Sequence, residues 1–229
     1  MNLETICKYA DAIEQKVGIP NIWAFVDSTI HQICRPSTIE QRYWYTGYKK
    51  YHGFEFQAIS TADGLIISLP GPTTAADGDW ALWHQSDIET ILHNLFNDIL
   101  QDQEPLIYSD PAYNGSFGIM CPFVRQPGRQ LTFIQQQANA TMSSIRVSIE
   151  HLFGYTLNLW AANGYKYSQK IGHSPVAARY LVAVLLTNIR TCIDSGNQVA
   201  YYFNYKPPTL AEYLRTVSER DGDIPEANI

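Results

Sequence analysis

Trp23-Ala24-Phe25-Val26-Asp27 decides the fold: four apolar residues run straight into a carboxylate. Gly18 and Pro20 stand just upstream, so the run reads as a short buried strand that begins after a break and ends on Asp27. A carboxylate there is costly to bury unless something pairs with it. Taken alone, a strand-end aspartate capping a turn explains it equally well. The pattern recurs, however. Leu106-Ile107-Tyr108 is a second apolar strand that runs into Ser109-Asp110-Pro111. In α/β sheets the carboxyl ends of neighbouring strands share one crevice, so Asp27 and Asp110 are candidates for a common site.

Outward from these strands the remaining elements fall into order. Residues 3–17 predict an amphipathic helix, with Ile6, Tyr9, Ala10, Ile13 and Val17 on one face. Residues 35–50 read as loop, with a basic tip at Lys49-Lys50. Residues 54–59 alternate as a strand, Ala62-Asp63-Gly64 is a turn, and residues 65–69 return. A Gly/Pro-rich loop over 70–78 leads to a helix from Ser86 or Asp87 to Leu100, capped by one of those two residues. Residues 118–123 suggest another strand. A long helix spans 132–153 with Ile134, Ala138, Met142, Ile145, Ile149 and Leu152 inward, and residues 175–193 form a mostly buried helix. A helix over 209–219 precedes an acidic end. Three antiparallel strands followed by strand–helix units give an α/β fold, a mixed sheet flanked by helices on the ribonuclease H-like plan.

The 229 residues are 45% hydrophobic and 17% charged, the balance of a folded globular chain. The net charge of −6 argues against a simple nucleic-acid binder, although carboxylates gathered at a metal site would contribute to that total. Cys7, Cys34, Cys121 and Cys192 form no CxxC pair, which removes zinc and disulfide frameworks from consideration. The opening residues lack a signal peptide's basic and apolar regions. The most apolar stretch, 176–186, is too short to span a bilayer and contains Arg179. No membrane role is expected.

Glu150 supplies the third acid. It lies beside the Ile145/Ile149 stripe of the long helix, with Arg146 one turn before it; locally a surface Arg146–Glu150 pair of little worth is the simpler reading. The set of two strand-end aspartates and a helical glutamate outweighs it. A pair of divalent ions about 3.5–4 Å apart needs carboxylate oxygens from different elements, and an all-oxygen set favours Mg²⁺ or Mn²⁺ over zinc.

The chain resembles the DDE nuclease domain of Harbinger-type transposases, particularly their fungal relatives. The resemblance runs from about Tyr9 to Tyr205. It is carried by Trp23 to Thr29, by Ile33-Cys34-Arg35-Pro36, by Tyr45 to Lys50 with His52, Phe56 and Gln57, and by Ala62 to Ile66. Tyr108 to Tyr113, Cys121-Pro122-Phe123, Asn139 to Gly154 and Leu185 to Asn188 continue it in order.

The resemblance implies a DNA endonuclease or transposase with Asp27, Asp110 and Glu150 as catalytic metal ligands, using two Mg²⁺ or Mn²⁺ ions. A further family aspartate maps to Asp79, with Asp77 as competitor. DNA is the implied substrate, with Lys49, Lys50, Arg125, Arg129 and Arg146 as candidate contacts. A separate DNA-binding partner protein, a homo-oligomer on DNA and a nuclear location, with passage through the cytoplasm, are also implied. The nuclease domain is expected over 1–205, with 206–229 as a tail. The family's upstream helix-turn-helix is expected to be absent, since only about twenty residues precede the first strand. Ser28 replaces the family's Gly and Gly78 its His. These departures keep a rival open: a catalytically silent, domesticated DNA- or protein-binding module. Paired acids would also suit glycoside hydrolysis, but the ordered motifs do not.

Overall fold

The computed structural model describes residues 2–37, 41–75, 78–97, 99, 103–164 and 169–221. Helix α1, Leu3–Val17, begins where the Asn2 side chain accepts from the Thr5 amide. It ends at Gly18, whose left-handed φ of 71° lets its amide reach the Glu14 carbonyl. Ile6 and Ile13 on its inner face are fully buried, each worth about 2 kcal/mol of apolar transfer.

Strand β1, Ile22–Gln32, is central. It does not stop at Asp27 as the sequence suggests. Antiparallel pairing with the equally long β3, Tyr51–Thr61, carries it on through His31↔Phe54 and Gln32↔Gly53. Asp27 is therefore a mid-strand residue opposite Ala58. On its other side β1 pairs in parallel with β6, Leu106–Tyr108, which pairs in parallel with β7, Ile119–Met120. Two short strands, β4 (Ile66–Ser68) and β5 (Thr73–Thr74), add antiparallel to β3. β2, Tyr45–Thr46, joins its outer edge after a short helix α2, Gln41–Trp44. The sheet is mixed and flanked by helices, as expected of the ribonuclease H-like plan.

The helix expected from Ser86 or Asp87 is present, and a second one that the sequence reading lacks stands before it. α3 is Asp79–Gln85 and α4 is Ile88–Phe96, separated by extended backbone at Ser86. Neither proposed cap forms: Asp87 makes no capping bond and the Ser86 hydroxyl donates back to the Trp83 carbonyl. The buried face of α4 is Ile88, Leu92 and Phe96, which leaves Ile91 exposed. The long helix α5 is Phe133–Leu159, with a Thr132/Gln135 capping box. Only its later part is core: Met142, Ile145, Leu152 and Phe153 are buried while Ile134 is exposed. Ile149, expected inward, lies outside the described side chains.

A short helix α6, Ala161–Gly164, precedes α7, Val176–Ile193. By length and composition α7 could cross a membrane, but Tyr180, Ala183, Val184, Asn188 and Cys192 pack it into the interior as a core helix. α8, Gln198–Phe203, has no counterpart in the sequence reading. Its capping residue Asn197 also donates to the Gly64 carbonyl. Gly64 sits at φ +77° so close to that side chain that a Cβ would collide with it. α9, Leu210–Asp221, lies against α7, where Asn188 donates to the Tyr213 hydroxyl.

Candidate active site

Successive side chains of β1 point to opposite faces, and this divides the acids into two groups. Asp27 faces α5. Its Oδ2 accepts from Arg146 Nη1 at 3.0 Å and its Oδ1 from the Ser28 amide at 3.1 Å. Arg146 Nη2 also stands 3.5 Å from Glu150 Oε1, one turn along the helix, so one guanidinium links the strand aspartate to the helical glutamate. Burial pushes the Asp27 carboxyl up to about 6. Arg146 and the Ser28 amide oppose the rise, while Asp110 and Glu150 add to it. Asp110 and Glu150 thus each act on the charge of Asp27. Glu150 is the most open, its side chain 52% exposed.

Asp110 follows β6 after one residue, Ser109. Its Oδ1 accepts from the Ala112 amide at 2.8 Å, capping the 3-10 turn Pro111–Tyr113. Burial raises its pKa, and the charge of Asp79 adds to this against the pull of Ala112 and Arg146.

Asp79 opens α3 and belongs to the second group. The Ser28 hydroxyl, facing away from Asp27, donates to its Oδ1. On the same face Glu55 and Gln57 project from β3. Glu55 is buried, and burial together with Asp79 pushes its carboxyl up to about 7. Gln57 donates to the Tyr113 hydroxyl at 2.8 Å and to the Asp79 carbonyl at 3.3 Å. Burial and the charges of Asp79, Asp110 and Asp27 hold the Tyr113 phenol protonated. Among the described residues Glu55 Oε2 and Gln57 Oε1 have no hydrogen-bond partner. Asp77 lies outside the described residues.

Sequence reasoning missed Ser28, Glu55, Gln57 and Tyr113 as site neighbours. Alternation over residues 54–59 puts Glu55 and Gln57 on one face of the strand, and that face is covered.

The five basic candidates fall in three places. Lys49 and Lys50 form the exposed turn between β2 and β3, where the Lys50 amide bonds the Thr46 carbonyl and Lys49 stands 5.1 Å over the Tyr48 ring. Arg125 and Arg129 flank a turn closed by a Gln126↔Arg129 bridge, and both are exposed. Only Arg146 reaches the acids.

The donors beside Asp27 are all carboxylate oxygens, a set that suits Mg²⁺ or Mn²⁺. Among the described residues no three His, Cys, Asp or Glu side chains stand close enough together to hold a metal ion. Between Asp27 and Glu150 the balancing cation is the Arg146 guanidinium.

A mixed parallel and antiparallel sheet flanked by helices, with an aspartate on its central strand and another just past the parallel neighbour, defines a ribonuclease H-like α/β domain. The family model described as DDE superfamily endonuclease matches residues 26–188, and the chain belongs to that family. No curated protein and no solved structure matches the chain.

Proposed function

We propose that the chain is the catalytic domain of a Harbinger-type transposase, a DNA endonuclease that uses Asp27, Asp110 and Glu150. One observation carries this reading: Arg146 ties Asp27 to Glu150, and Asp110 is close enough to act on the charge of Asp27. Once Arg146 leaves Asp27 and Glu150 and the acids draw together, Asp27, Asp110 and Glu150 would hold two divalent ions, which when bound supply an activated water or 3′-hydroxyl and stabilise the leaving oxygen. Asp79 is a flanking acid that would join the set by giving up its bond from Ser28. Arg146, released from the carboxylates, is placed to meet a substrate phosphate. Lys49, Lys50, Arg125 and Arg129 contribute outlying phosphate contacts. The substrate is nuclear DNA, and a separate partner protein and self-association on DNA complete the assembly.

Supercoiled-plasmid nicking in Mg²⁺ or Mn²⁺, with EDTA controls, is the test. Asp27→Ala, Asp110→Ala and Glu150→Ala should each abolish nicking, and combinations should lose no more than single variants, because the acids act as a unit. Full cleavage by any one variant would sink the assignment. The rival, a silent binding module, draws on Arg146 as the built-in cation of the acid cleft. It requires DNA binding by the intact protein with no nicking in either metal.

A further inference from the structure

Between Gly118 and Met142 no residue is buried. The first two and a half turns of α5, about 14 Å at 1.5 Å per residue, therefore run free of the core, and the segment before them runs back alongside. Asn139 fastens the two together, accepting from the Phe123 amide at 2.9 Å and donating to the Phe123 carbonyl at 2.8 Å. The result is a stitched arm with no core of its own. It exposes large apolar side chains: Phe133 and Ile134 at 77% each, Val124 at 63% and Phe123 at 42%.

The charge of this stretch sets it apart. Between Asp110 and Glu150 there is no acidic residue, only Arg125, Arg129 and Arg146, in a chain of net charge −6. Arg125 and Arg129 make no ion pair among the described residues. Amide side chains at Gln126, Gln130, Gln136 and Gln137 add hydrogen-bonding groups on the same exposed arm.

We propose that residues 122–141 are a duplex-DNA gripping arm. Arg125 and Arg129 contact phosphates, while Phe133 and Ile134 press on sugars or base steps of the groove. This rests on DNA being the substrate of the acid site, since the arm leaves the body between Asp110 and Glu150. An acid-free surface that joins arginines, amides and apolar wedges matches the chemistry of groove binders.

The test uses the full chain, a fluorescein-labelled duplex, anisotropy titrations at several salt concentrations, and sedimentation. Arg125→Glu with Arg129→Glu should weaken binding by about tenfold or more and lower the salt slope by about two. Phe133→Ser with Ile134→Ser should weaken binding without changing that slope. All four side chains are exposed, so melting temperatures should not move. Wild-type-like binding by both variants overturns the proposal, as does failure of the intact chain to bind duplex. Loss in the arginine variant alone overturns the role given to Phe133 and Ile134. If the serine variant instead alters the sedimentation state while DNA binding stays intact, the arm is a contact between copies of the chain and the proposal falls. Asp27, Asp110 and Glu150 are untouched in these variants, so plasmid nicking judges the acid site separately.

Discussion

Asp27 and Asp63 are both buried aspartates, one within β1 and one in the turn that follows β3. Their surroundings differ in kind. Asp63 accepts from the Tyr9 hydroxyl at 2.6 Å, the Thr61 hydroxyl at 2.6 Å and the Leu65 amide at 3.1 Å. Neutral donors from α1 and from its own turn occupy it, so it ties the first helix to the hairpin. Asp27 has one backbone amide and otherwise a guanidinium, with two further acids acting on it. A carboxylate saturated by neutral donors stabilises a fold. One balanced by a single movable cation keeps lone pairs that another cation can take.

Activity should separate the two aspartates most widely. Asp27→Ala should lower nicking by about a thousandfold or more, in line with the loss of one member of a catalytic set. Asp63→Ala, assayed well below its melting temperature, should nick at nearly the wild-type rate. Equal losses would erase the distinction.

Stability should reverse the order. Asp63→Ala strands three buried donors and should cost about 2–3 kcal/mol, or about 5–10 °C in melting temperature for a domain of this size. Tyr9→Phe removes one donor and should cost about 1 kcal/mol. A melt of Asp63→Ala within a degree of wild type would show that the turn holds without its aspartate.

How far this contrast could be read in advance depends on what each residue needed from distant parts of the chain. Asp27, Asp110 and Glu150 were singled out as candidates by the ordered set and the family motifs, since locally a turn cap and a surface ion pair read as well or better. The link through Arg146 was half legible, as an i,i+4 pair with Glu150. Its bond to Asp27 crosses from helix to strand and leaves no local pattern. Asp63 read only as a turn residue, since its Tyr9 partner lies 54 positions away. Glu55 and Gln57 were not picked out because alternation reports which residues share a face, not whether a helix covers it. The error at Ile134 has the same origin: helical periodicity marks an apolar stripe but not where the core beneath it ends.

His31 sharpens the comparison along β1 itself. It is buried against Tyr180, with ring centroids 4.8 Å apart, and burial lowers its pKa from 6.5 to about 4. The unfolded chain therefore binds the extra proton between those values, so stability should fall as pH drops from about 6.5 to 4. Melts across that range should show a steeper decline for wild type than for His31→Phe. Parallel declines would mean that the imidazole is not held neutral.

The smallest effect is the most discriminating. If Asp27 belongs to a metal site, Mg²⁺ at about ten times its dissociation constant should stabilise the protein by about 1.4 kcal/mol, or about 3–5 °C. Asp63→Ala should show the same rise from a lower baseline, because its ligands are intact. Asp27→Asn should behave oppositely. In EDTA its melting temperature should equal or exceed that of wild type, because burial makes the Asp27 charge a net cost, while an asparagine carbonyl still accepts from Arg146. In Mg²⁺ it should lose most of the metal-induced rise. Arg146→Met adds a check from the cation's side. With no guanidinium competing between Asp27 and Glu150, metal should bind more tightly and the rise at fixed Mg²⁺ should grow. Thermal melts of the four proteins, each in EDTA and in Mg²⁺, separate these outcomes. If Asp27→Asn is destabilised equally in both buffers, Asp27 is a structural aspartate of the Asp63 kind and the proposed metal site is wrong.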